Sequence, residues 1–116
     1  MSDADPIFSA HIVYLDGSAV LRLVGELDLA TVPVLRESVD NVVGPHLRAL
    51  VVDLSDLTFV DVKGLRALFD ARQTATAAGA EFELRSPTDW TLEVIRLVGL
   101  PGFEDAVENR SGAPVS

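Results

Sequence analysis

The sequence predicts an α/β domain: a mixed, mostly parallel β-sheet that opens on an N-terminal hairpin and carries packed helices. Three observations support this. Two strand-like runs near the start, 7–15 and 19–25, are separated only by Asp16-Gly17-Ser18, so short a turn that they form an antiparallel hairpin. Two later strand-like runs each follow a segment of helical periodicity, and a strand–helix–strand crossover makes a parallel, right-handed pair. The helical segments also carry start and stop residues at the expected ends. The predicted order is β-β-α-β-α-β-α, with one more short helical turn at the end.

The elements follow in turn. Ile7 to Leu15 holds Ile7, Val13 and Leu15 among β-favouring neighbours. Ala19 to Gly25 alternates Val20, Arg22 and Val24 against Leu21 and Leu23. Thr31 is placed to cap a helix in which Val32, Leu35, Val39 and Val42 or Val43 recur at three- and four-residue spacing. Pro33 lies in its first turn, where a missing N–H costs nothing, and Gly44-Pro45 stops it. Leu50-Val51-Val52-Asp53-Leu54 is nearly all apolar, the pattern of a strand buried on both faces. A loop is expected from Ser55 to Asp61, then a helix from about Val62 to Ala78 with Gly79 after it. Glu81 to Arg85 alternates as a strand, Thr88 caps a third helix through Leu92, Ile95 and Leu97, and Gly99 ends it. Phe103 to Val107 is expected to add a turn. Residues 1–6 read as an arm and residues 108–116 as a tail, leaving one domain over 7–107.

Composition narrows the function. The 116 residues carry 18 acids against 9 bases, a formal charge of −9, which repels nucleic acid and anionic membrane surfaces. There is no cysteine, so thiolate zinc sites, iron–sulfur clusters and thiol redox chemistry are excluded. The first residues lack the basic and apolar regions of a signal peptide, and no apolar run reaches the roughly 18–20 residues of a membrane span. A cytoplasmic protein that meets a protein or a small ligand is expected. No Gly-x-Ser-x-Gly elbow, Walker loop or Gly-x-Gly-x-x-Gly is present. His11 on a strand and His46 in a Gly-Pro-His loop read as structural or solvated, and no cofactor is expected.

Two segments stand out. Gly25-Glu26-Leu27-Asp28-Leu29-Ala30-Thr31 follows the second strand and reads equally as ordinary capping before a helix. The run from Val51 to Leu65 places a helix N-terminus after the central strand, with free backbone N–H groups and partial positive charge.

With these two segments the sequence resembles the STAS family, the domain shared by anti-sigma-factor antagonists and sulfate-transporter tails. The Gly25-Glu26-Leu27-Asp28…Thr31 segment is similar to the family's first motif. Asp53-Leu54-Ser55 with Phe59-Val60-Asp61-x-x-Gly64-Leu65 is similar to its second, and Gly99-Leu100 with Phe103 to its C-terminal pattern. The resemblance spans about residues 7–107 and implies a single STAS-like α/β domain. It also implies a non-enzymatic regulator that binds an anti-sigma factor of histidine-kinase-like ATPase fold, itself a monomer or weak dimer. The implied partner-binding residues are Asp28, Thr31, Asp61, Lys63, Gly64 and Leu65.

In the family, phosphorylation of a Ser or Thr at this helix start releases the partner by placing a dianion in the interface. By position that slot is Lys63, preceded by Val62, while Asp61, Gly64 and Leu65 match. Lysine cannot accept that phosphate. A cation at a helix N-terminus also opposes the macrodipole, by up to about 1 kcal/mol, unless Asp28, Asp56 or Asp61 pairs with it. Two readings stand: a tolerated solvent-facing residue, or a fixed contact to an acidic partner surface or anionic ligand. Lys63 is the sole lysine of the chain. Ser55, Thr58, Ser86 and Thr88 are other hydroxyls near these elements. Two alternatives remain open: a cytoplasmic STAS subunit of a lipid-transport ABC complex, working without phosphorylation, and an aspartyl-phosphate receiver with Asp53 or Asp56 as acceptor and Lys63 as helper.

Overall fold

The structure, a computed structural model, describes residues 8–100 together with Phe103, Ala106 and Val107. The predicted arm and tail therefore lie outside the described residues. The elements are β1 (Phe8–Leu15), β2 (Ser18–Leu27), α1 (Val32–Val42), β3 (Ala49–Val60), α2 (Val62–Ala77), β4 (Glu81–Arg85) and α3 (Asp89–Val98). The strands form one sheet in the order β1-β2-β3-β4. β1 and β2 are antiparallel, and β2–β3 and β3–β4 are parallel, as the crossovers through α1 and α2 require. The hairpin turn is Asp16-Gly17, both at positive φ (50° and 84°), the conformation that matches strand twist across a two-residue loop.

Alternation along the strands assigns the two faces. Leu21, Leu23, Leu50, Val52, Leu54 and Leu84 are wholly buried beneath the helices, together with Leu35, Leu65 and Leu68 from α1 and α2. The opposite face carries His11, Val13, Arg22, Asp53, Glu83 and Arg85, all exposed or half-exposed, around a buried Val51. Phe103 closes the core edge-on to Phe69, with ring centroids 5.7 Å apart. The expected last turn is present at its described residues: Phe103 donates to the Leu100 carbonyl, Ala106 to the Phe103 carbonyl, and Val107 bridges Leu84.

Two expectations are corrected. The segment Ser55–Val60 is not a loop but the second half of a 12-residue strand. Its buried residues, Leu54, Leu57 and Val60, recur every third position because the β2–β3 register shifts twice, between Arg22 and Val24 and between Gly25 and Glu26. Each extra residue on β3 flips the in–out alternation, so the period-2 signal disappears while the ladder continues. The second correction concerns Thr31. It occupies the N-cap position of α1, but its side chain caps nothing there. The hydroxyl points back, donating to the Glu26 carbonyl (2.9 Å) and accepting from the Asp28 N–H (2.9 Å). The Asp28 carboxylate accepts from Ala30 and Thr31 N–H instead. By contrast, Thr88 caps α3 as expected, its hydroxyl accepting from Thr91 N–H.

Candidate docking surface at the start of helix α2

Parallel pairing brings the two motif segments together. β2 ends at Leu27 directly beside Val60, the end of β3, so the Asp28–Thr31 turn and the α2 N-terminus emerge side by side. The junction is stitched through one carbonyl. Asp61 N–H donates to Leu27 O (3.3 Å), and the Gly64 Cα packs so tightly on the same group that a Cβ there would lie 2.4 Å from Leu27 O. Asp61 is the N-cap: its Oδ1 accepts from Gly64 N–H at 2.8 Å. Thr58 adds a third tie, donating to the Gly25 carbonyl at 3.1 Å.

The six residues implied as partner-binding divide by burial. Leu65 is 0% exposed and belongs to the core; it anchors α2 and offers no atom to a partner. Gly64 and Thr31 are also buried and act by shaping the junction. Asp28 and Asp61 are half-buried, their carboxylates committed to backbone N–H groups. Lys63 stands exposed in the first turn of α2, and among the described residues it has no ion-pair or hydrogen-bond partner. The offsetting pairs expected from neighbouring acids are not made. Asp56 pairs with Arg22 across the strands at 2.6 Å, and Asp28 and Asp61 are occupied as described.

Beside the end of β3, where α2 begins, lies an apolar surface that the sequence did not reveal. Phe59 and Trp90 stack at 5.8 Å, and the Trp90 indole N–H donates to Val60 O (3.1 Å), which fixes the ring. Trp90 is 50% exposed, Val62 60% and Leu29 69%. A large aromatic in the first turn of a capped helix was the available signal; its pairing with a residue on β3 was not readable from either segment alone. Exposed aromatic side chains held in a fixed arrangement are a feature of protein-binding surfaces.

Catalytic chemistry has little to work with here. His11 is exposed and bonded to Ser9 (3.0 Å), and His46 is exposed in its loop. Among the described residues there is no His/Asp/Glu group suited to a metal ion, and no helix is long and apolar enough to cross a membrane. The receiver alternative does not fit: an all-parallel doubly wound sheet is required, and this one opens on an antiparallel pair. Asp53 is also tied to the N–H and hydroxyl of Ser55, at 2.9 and 2.8 Å.

Comparison with known proteins decides the family. The family described as "Mlab, STAS domain" matches residues 12–107. The chain belongs to the STAS domain family. This STAS domain is 35% identical over 85 residues to the anti-sigma-F factor antagonist RsfB of Mycobacterium tuberculosis, covering 73% of the chain and 69% of that relative. Its fold superposes on the crystal structure of an anti-sigma factor antagonist from Mycobacterium paratuberculosis with a TM-score of 0.71 and 27% identity, over 85% of the chain and 90% of that structure. Unphosphorylated SpoIIAA, another anti-sigma factor antagonist, shares the fold at a TM-score of 0.70 and 17% identity, over 89% of the chain and 92% of that structure.

Proposed function

We propose that this STAS domain is an anti-sigma-factor antagonist-like regulator that docks an anti-sigma factor of histidine-kinase-like ATPase fold in the cytoplasm. It does so without a phosphorylation switch at the usual position. The observation that carries the reading is Lys63, exposed and free of intramolecular partners among the described residues; the resemblance implies that it occupies the phosphoacceptor position. The 35% identity to an anti-sigma-F factor antagonist supports the same reading.

Docking uses Lys63, Val62, Leu29, Phe59 and Trp90 as contacts. Asp28, Thr31, Asp61 and Gly64 hold the two segments in place, and Leu65 anchors the helix from inside. Lys63 meets an acidic group of the partner within an apolar rim that excludes water and strengthens the pair. The domain catalyses nothing; it works by occupying its partner.

Calorimetric titration of the source organism's anti-sigma factors tests this. Lys63→Glu weakens the complex by ~10-fold or more, as for a truncated or reversed interfacial charge, while Arg72→Glu in the second half of α2 leaves it unchanged. Equal affinities for the two variants remove Lys63 from the interface. If no anti-sigma factor binds and a permease–ATPase assembly co-purifies instead, the lipid-transport alternative replaces this reading.

A further inference from the structure

β1 forms one edge of the sheet, and among the described residues nothing pairs with its outer side. The hairpin loop has two residues and the β1–β2 register runs without a shift from Leu15↔Ser18 to Phe8↔Gly25. In such a ladder alternate residues Leu15, Val13, His11 and Ser9 bond to β2, so the N–H and C=O groups of Ala10, Ile12 and Tyr14 turn outward. Natural edges are blunted by lysine, proline, bulges or short length. This edge has none of these. It is eight residues long and holds no Asp, Glu, Lys, Arg or Pro. Both of its faces end in exposed apolar groups: Val13 (54%) and Leu15 (59%) on the open side, Ile12 (36%) and Tyr14 (63%) on the helix side.

We propose that β1 pairs antiparallel with β1 of a second copy of this chain, about a two-fold axis at Val13, joining two four-stranded sheets into one. Charge selects the occupant. A chain of net −9 repels its own copy over most of its surface, and with the axis at Val13 residues 11–15 of the two strands lie opposite one another with no carboxylate among them. Antiparallel pairing about a two-fold axis makes the strand its own complement. With the axis at Val13, Val13 faces its counterpart, Ile12 lies opposite the copy's Tyr14, and the outward groups of Ile12 and Tyr14 exchange hydrogen bonds. The α2 start adjoins Leu27, at the other end of β2 from the hairpin turn, so the dimer leaves the Lys63 surface free.

Sedimentation equilibrium of the full chain tests the proposal, with circular dichroism to check that each variant folds. The natural protein shows a monomer–dimer equilibrium, and amide exchange at Ile12 and Tyr14 slows as concentration rises. Val13→Lys and Val13→Glu each raise the dimer dissociation constant by ~10-fold or more, since like charges then face each other across the axis. Mixing the two variants restores dimer, because Lys then faces Glu. A natural chain that sediments as monomer at every concentration overturns the proposal, as does a dimer that Val13→Lys leaves intact or a variant mixture that stays monomeric.

Discussion

The α-carbon of Gly64 lies against the carbonyl oxygen of Leu27, so closely that any β-carbon at 64 would sit 2.4 Å from that oxygen. This contact sets the distance between the end of β2 and the start of α2, and with it the spacing of the Asp28 turn from Lys63. Since the obstacle is backbone held in a sheet, it cannot rotate away as a flexible side chain can. Gly64→Ala therefore destabilises the fold by about 2–3 kcal/mol. Gly44→Ala, which meets nothing within 4 Å and needs no positive φ, changes stability by less than about 1 kcal/mol. Urea denaturation of both variants measures the difference.

The Asp61 cap is a separate contribution. Replacing Asp61 with Ala removes the acceptor for Gly64 N–H and costs about 1 kcal/mol, whereas Asp61→Asn retains most of it. Thermal melts of the two variants separate the lost hydrogen bond from the lost charge. Asn keeps the hydrogen bond, so a midpoint for Asp61→Asn as low as that for Asp61→Ala would assign the effect to charge.

Thr31 makes a sharper test of the first motif. Its hydroxyl serves both the Glu26 carbonyl and the Asp28 N–H in a 6% exposed site. Thr31→Val preserves shape and strands both backbone groups, costing about 1–3 kcal/mol. An N-cap role would predict a smaller loss, about 1 kcal/mol. Here the Val variant also loosens the Asp28 turn, visible as faster amide exchange at Asp28.

Much of this was legible in the sequence because local signals agreed with the global fold. Asp16-Gly17 specified the hairpin, Thr88 and Gly99 bounded α3, and the family resemblance placed Asp61 and Gly64 at the start of α2. The second half of β3 was not legible. Its two register shifts turn an alternating strand into a three-residue period that imitates a loop, and only the facing strand reveals the ladder. The candidate site could be proposed from the sequence as a set of positions but not as a surface. Leu65 and Lys63 are two residues apart, yet one is in the core and the other in solvent. The Phe59–Trp90 stack joins β3 to α3 through a contact that neither segment encodes alone.

Trp90 also provides a probe, being the sole tryptophan of the chain and half exposed within the proposed interface. Binding of the partner shifts its fluorescence, and Phe59→Ala weakens the complex by ~5-fold or more through loss of the stacked platform. Fluorescence that does not change when calorimetry shows binding would place the interface elsewhere.

The central claim is a docking surface that phosphorylation does not switch. The direct measurement is incubation of the natural protein and of Lys63→Ser with the anti-sigma kinase and ATP, followed by mass determination and titration of each product with the kinase. The natural protein gains no phosphate and keeps its affinity; Lys63→Ser gains one phosphate and loses binding. A natural protein that gains a phosphate and lets go of its partner would contradict the account.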